Sequence, residues 1–197
     1  LRNNINKLPD FNILYYNINM SQENYNSDEF LNPTQILRAL ALKDDMIACD
    51  LGCGAGGWAI PLAKILSNGM VYAVDILEEN ISALRGILAQ ENIFNVSTLL
   101  SDIEKNIKIE DKSVDLVLLT NVLFQIEDKE KLFRECRRIL KSRGQLLIVD
   151  YKKEAAFGPS IGRIGLEDIL PLLEKLGFQE EKRFEAGKYH WGLLLTK

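Results

Sequence analysis

Ten residues constrain this chain more than any other stretch: Cys49-Asp50-Leu51-Gly52-Cys53-Gly54-Ala55-Gly56-Gly57-Trp58. They follow the apolar, strand-like run Met46-Ile47-Ala48 and precede a helix-like one, so the glycines fall where a strand turns into a helix. Glycine there permits a tight turn and lets a ligand lie against bare backbone. Gly52, Gly54 and Gly57 fit the G-x-G-x-x-G of dinucleotide sites, whereas Asp50, Gly52, Gly54 and Gly56 fit D-x-G-x-G-x-G. Charge separates the two readings. A pyrophosphate is favoured at the helix N-terminus by the helix dipole and opposed by a carboxylate at the mouth of the same loop. Asp50 is that carboxylate, and it suits a ligand with a cationic amino-acid end.

Around this loop, apolar runs alternate with helix-like segments. Strands are expected at 46–52, 70–75, 95–100, 113–120, 145–150, 178–184 and 190–196, and helices at 57–66, 78–91, 129–140 and 166–176. Pro33 opens a further short helix carrying Ile36, Leu37, Leu40 and Leu42. Ser142-Arg143-Gly144 reads as the turn into the fifth strand, and Gly177 ends the last helix. Such alternation predicts an α/β Rossmann-like three-layer sandwich, a mostly parallel sheet with helices on both faces. The last connection, 185–188, is too short for a parallel crossover and must be a hairpin. At 197 residues one domain is expected, 32–197, preceded by an arm or lid, 1–31, in which Leu14, Tyr15, Tyr16, Tyr25 and Phe30 supply apolar surface.

Two more carboxylates follow strand ends. Asp75 closes the second expected strand, where it can accept from both hydroxyls of a ribose, and Asp102, in Ser101-Asp102-Ile103, follows the third. Three acids at successive strand ends line one crevice at the switch point of such a sheet. A nucleoside ligand with a cationic amino acid and a sulfonium fits all three, and S-adenosylmethionine is such a ligand. NAD shares the glycine loop and Asp75 but not the use of Asp50.

From about Pro33 onward the chain resembles the class I S-adenosylmethionine-dependent methyltransferases. The resemblance rests on the glycine loop, Asp75, the Ser101-Asp102 pair, the strand from Ser113 to Asn121 and the segment from Arg137 through Gly144 to Asp150. Within that family it is most similar to the ubiquinone and menaquinone biosynthesis methyltransferase-like branch. The family implies a seven-stranded sheet in order 3-2-1-4-5-7-6 with the last strand antiparallel. It also implies that Asp50, Gly52, Cys53 and Gly54 hold the methionine portion, Asp75 with Ile76 the ribose, Asp102 with Ile103 the adenine, and that Asn121 lies beside the methionine moiety. Many relatives carry a His pair after the fourth strand; here Phe124-Gln125 stands instead.

Methyl transfer needs an aligned nucleophile more than a base. If a base is used, Asp150, Tyr151, Lys152 and His190 are the candidates, His190 and Tyr151 foremost. Arg163, in a breaker-rich loop, and Tyr16 in the arm are candidate substrate contacts. The formal charge of −4 disfavours a nucleic-acid partner, although Lys129, Lys131, Arg134, Arg137, Arg138, Lys141 and Arg143 give one basic helix face. Cys49, Cys53 and Cys136 match neither a disulfide scaffold nor a zinc site, so no metal is expected and a reducing, cytoplasmic setting is. Neither a signal peptide nor a membrane span is expected from the hydropathy pattern. A small-molecule acceptor is the expected partner. An NAD-dependent oxidoreductase and a non-catalytic cofactor-binding subunit stand as alternatives.

Overall fold

The computed structural model describes residues 30–197. Asn32 caps the first helix, α1 (Pro33–Arg38), by accepting the Gln35 N–H at 3.0 Å, and Pro33 sits where a missing N–H costs nothing. Then follow β1 (Ile47–Leu51), α2 (Ala59–Ile65), β2 (Met70–Asp75), α3 (Glu78–Gln90), β3 (Val96–Leu100), β4 (Val114–Thr120), α4 (Lys129–Ile139), β5 (Leu140–Tyr151), α5 (Leu166–Lys175), β6 (Gln179–Glu185) and β7 (His190–Thr196). The sheet order is β3-β2-β1-β4-β5-β7-β6, with β7 antiparallel to both neighbours, as the resemblance implied. The order reverses between β1 and β4, so the crevice above these two strand ends is where a ligand belongs.

Both faces of the central strands are buried, which is why they read as nearly unbroken apolar runs. On one face Ala48, Ala73, Leu116, Leu118, Leu147 and Val149 pack with Leu37, Leu62, Ile81 and Leu84 of the first three helices. On the other, Val117, Leu119, Leu146 and Ile148 meet Phe133, Cys136 and Ile139 of α4 and Ile169 and Leu173 of α5. Each buried Val, Leu, Ile or Phe among them contributes on the order of 1.5–3 kcal/mol.

Two boundaries differ from expectation. The helix after the glycine loop begins at Ala59, because residues 54–58 remain in turns. β5 begins at Leu140, five residues before the expected start. Val114 pairs with Leu140 and Leu116 with Gln145, so β5 advances five residues while β4 advances two. The turn chemistry of Ser142-Arg143-Gly144 is spent on a bulge inside the strand, with Arg143 at φ 63°. At the far edge, β6 reads Gln-Glu-Glu-Lys-Arg-Phe-Glu and carries its own irregularity between Glu180 and Lys182, features that deter pairing with another sheet.

Candidate functional site

Gly52, Gly54 and Gly56 adopt φ of 80°, 53° and 96°, so the loop occupies left-handed conformations that side chains resist. The Gly52 and Cys53 N–H groups both donate to the Val74 carbonyl, at 2.8 and 3.0 Å, tying the loop to β2. A Cβ on Gly52 would lie 2.7 Å from Val122 Cγ2, whereas one on Gly54 would meet nothing within 4 Å. Gly52 thus answers to packing against the loop after β4, and Gly54 looks onto open space.

Asp75 ends β2 with both oxygens engaged: Oδ2 accepts the Gly54 N–H at 2.8 Å, and Oδ1 accepts the Leu77 N–H at 2.9 Å and the Asn80 amide at 3.1 Å. Asp50 is the opposite case. It is fully buried, and neither carboxylate oxygen has a hydrogen-bond partner. Desolvation, reinforced by the Asp75 carboxylate, pushes its pKa up to about 7, while the Ala59 N–H at the start of α2, nearby but outside hydrogen-bond geometry, works weakly the other way. A buried carboxyl without a donor is costly unless a donor arrives with a ligand. A second such acceptor is Asn121 Oδ1, buried and unpartnered, on a residue whose φ of 52° suits Asn.

The remaining expected cofactor contacts are placed as follows. Asp102 accepts the Glu104 N–H at 2.9 Å and pairs with Lys105 at 3.2 Å, and the first of these chiefly holds its carboxyl below the usual range. This is turn geometry, which leaves the carboxylate partly committed. The Ile103 side chain is buried in the core with Ile107 and Ile109. Ile76 beside Asp75 is exposed, and so are Leu77 and Leu100, an apolar surface that the sequence reading reached only at Ile76. Cys53 is buried, its Sγ donating to the Gly54 carbonyl at 3.4 Å; desolvation and Asp50 drive its thiol well above the usual range, so it is no nucleophile.

On the other half of the crevice, Asp150 is a structural acid. One oxygen accepts the Val122 and Leu123 N–H groups at 3.2 and 2.9 Å, the other accepts the Tyr151 N–H at 2.7 Å, and the residue is fully buried. It fixes the loop whose Val122 supports Gly52, a positioning role that no local pattern revealed. Lys152 is ion-paired with Glu185. Tyr151 and His190 face one another across β5 and β7, ring centroids 4.3 Å apart, with Phe124 edge-on to Tyr151 at 6.3 Å. His190 is 7% exposed, and both ring nitrogens are buried without a partner. Burial, aided by Lys152, lowers its pKa to about 4, so the ring is neutral.

Arg163, expected to meet a substrate, instead donates to the carbonyls of Lys153, Ala155, Phe157 and Pro159. Four of its five N–H donors are thereby committed, which makes it the staple of its own loop. Tyr16 and the arm, apart from Phe30 and Leu31, lie outside the described residues. On the basic helix α4, Arg134 pairs with Glu130, and Arg138 with Glu135 and Asp111, so much of that face is neutralised. Among the described residues no helix is long and apolar enough to cross a membrane, and no three His, Cys, Asp or Glu converge as metal ligands.

Strand register unites the two halves. Asp50 pairs with Ala73 and Leu118; Asp75 lies two beyond Ala73, and Tyr151 two beyond Val149 opposite Thr120. With a side-chain period of two, Asp50, Asp75, Thr120, Tyr151 and His190 share one face of the sheet at one end.

Residues 42–171 match a family profile described as a methyltransferase domain. An S-adenosylmethionine-dependent methyltransferase from Aquifex aeolicus superposes with a TM-score of 0.79 at 28% identity, covering 85% of this chain and 90% of that one. The arsenite methyltransferase of Halobacterium salinarum is 27% identical over 66% of this chain and 36% of its own length. The demethylmenaquinone methyltransferase of Bacillus subtilis is 25% identical over 62% and 52%. The chain thus spans between about a third and a half of the length of these curated relatives.

Proposed function

The chain belongs to the methyltransferase-domain family, in its class I S-adenosylmethionine-dependent form, and from that premise we propose that it binds S-adenosylmethionine in the crevice above β1 and β4 and methylates a small-molecule acceptor in the cytoplasm. One observation carries the cofactor half of this reading: Asp50, fully buried, holds two oxygens with no donor. The cationic ammonium of a methionine moiety supplies that donor, whereas the pyrophosphate of NAD would add negative charge beside Asp50 and Asp75.

The residues present fit the cofactor. Asp50 and Asn121 Oδ1 are the unpartnered acceptors for the amino-acid end, and the open space over Gly54 admits backbone contact. Asp75, oriented by Gly54, Leu77 and Asn80, keeps one lone pair, on Oδ2, for a ribose hydroxyl, and the exposed side chains of Ile76, Leu77 and Leu100 offer apolar cover to a purine. When bound, the cofactor supplies a methyl carbon already activated by a sulfonium, so the protein's task is orientation. The Asp150-anchored loop keeps Val122 against Gly52 and thereby holds the two halves of the crevice in register.

Isothermal titration with S-adenosylmethionine, S-adenosylhomocysteine and NAD in parallel tests the reading. Micromolar binding of the first two with no heat from NAD is the expected result. Binding of NAD alone overturns it, and silence from all three assigns the chain to non-catalytic service of a partner.

A further inference from the structure

An imidazole with both nitrogens buried and unpartnered is costly to keep, because each buried polar atom has given up its hydrogen bonds to water and gained none in return. His190 is such a ring, and it stands on the same face and at the same end of the sheet as Asp50 and Asp75. β7 is two strands from β4, about 10 Å from the sheet's switch point. The cofactor candidates occupy the β3-β2-β1-β4 half; the Tyr151–His190 pair marks the half they leave over.

The surroundings of the pair are aromatic, and in the loop beside it the one charged group without an ion pair or hydrogen bond is Glu154, which is exposed. The Tyr151 and His190 rings lie 4.3 Å apart at a tilt of 41°, Phe124 meets Tyr151 edge-on, and the loop 153–165 packs on Tyr151 at Gly158 and on Phe124 at Gly162. Two glycines with positive φ make that closeness possible: a Cβ on Gly158 would overlap the Tyr151 ring, and one on Gly162 would overlap the Phe124 carbonyl. The Arg163 staple ties residues 153–163 into one unit. Asp150 gives its oxygens to three backbone N–H groups, and Lys152 is paired with Glu185. A carboxylate or phosphate would find Lys152 and Arg163 already committed, and an ammonium would find the buried carboxylate of Asp150 filled, with only Glu154 unpaired and that one exposed.

Resting on the methyl-transfer reading above, we propose that Tyr151, Phe124 and His190 form the acceptor seat beneath a liftable 153–165 loop, that it takes an uncharged, planar, hydroxyl-bearing acceptor, and that His190 receives the hydroxyl proton. An oxygen lone pair of the acceptor forms the new bond to the methyl carbon. The carbon–sulfur bonding pair stays with the sulfur of the sulfonium donor, which becomes a neutral thioether. The hydroxyl proton passes to the imidazole lone pair and then to water. A weak base suffices, because an oxygen becomes far more acidic as it is alkylated, and the buried ring is held in its neutral, receptive form.

The chain has one histidine, so its imidazole nitrogens are a unique NMR reporter. The protein saturated with S-adenosylhomocysteine is titrated with 2-naphthol, with 2-naphthoate and with 2-naphthylmethylamine. The expected result is a saturable shift of the His190 nitrogen resonances with 2-naphthol alone, and at least about tenfold weaker naphthol binding in His190→Phe, the loss of roughly one hydrogen bond. His190→Phe keeps a ring against Tyr151, and its undiminished affinity for S-adenosylhomocysteine serves as the folding control. Unmoved His190 resonances, equal binding by the charged probes, or naphthol binding in His190→Phe equal to wild type overturns the acceptor seat while the cofactor reading stands. Failure of S-adenosylhomocysteine itself to bind overturns both.

Discussion

Replacing Asp50 by Asn leaves the shape of the protonated acid in place and removes its charge, so the variant isolates what that charge costs the empty protein. With a folded pKa of about 7 against an ordinary 3.8, the native state holds more protons than the unfolded chain between about pH 4 and pH 7. Stability therefore falls as pH rises through that window, and the penalty is complete above it. A rise of about three pH units at 1.36 kcal/mol each gives roughly 4 kcal/mol, and relaxation of the site brings the realistic figure to about 2–4 kcal/mol. Urea unfolding at pH 8 should show Asp50→Asn more stable than the wild type by that amount, and the gap should close towards pH 4. A variant no more stable than wild type at pH 8, or a gap that ignores pH, refutes the argument that Asp50 is stored in the fold at a cost for the sake of a ligand.

The same carboxyl must be ionised to receive an ammonium, so affinity for S-adenosylhomocysteine should fall about tenfold per pH unit below pH 7, and calorimetry in buffers of different ionisation enthalpy should show proton release. Gly52→Ala, strained at φ 80° and pressed on Val122, should cut cofactor affinity by at least about tenfold while circular dichroism stays native. Asp150→Ala strands the Val122, Leu123 and Tyr151 N–H groups, which should cost about 2–4 kcal/mol in denaturant unfolding. Gly158→Ala should lift the 153–165 loop from Tyr151, read as faster limited proteolysis between residues 153 and 165 with the melting temperature of the domain little changed.

The strand ends were legible in the sequence because each apolar run there is closed by a residue with one local job: Asp50 before the glycines, Asp75 after Val74, Asn121 after Thr120. The closing hairpin was legible because a four-residue connection leaves no room for a crossover. What escaped was set by partners far away in the chain. Asp150 read as a possible base, yet its duty is to N–H groups nearly thirty residues earlier. Arg163 read as a substrate contact because a lone Arg in a breaker-rich loop invites that reading, whereas four carbonyls of its own loop consume it. The start of β5 was misjudged because turn residues serve a bulge as well as a turn. His190 stood out by rarity alone; its isolation from every donor and acceptor is a property of packing, invisible to any pattern.

The place of β7 in the sheet also orders the molecule in time. The five parallel strands can be laid down as the chain emerges from the ribosome, but β5 keeps a bare edge until the β6–β7 hairpin arrives. β7 then inserts between β5 and β6, covering that edge along seven paired residues and delivering His190 to Tyr151. A nascent chain that has yet to add this hairpin leaves the β5 backbone edge beside Leu146 and Ile148 unpaired, a margin open to pairing with other chains. The Tyr151–His190 side of the crevice is thus completed only after the strands that carry Asp50 and Asp75.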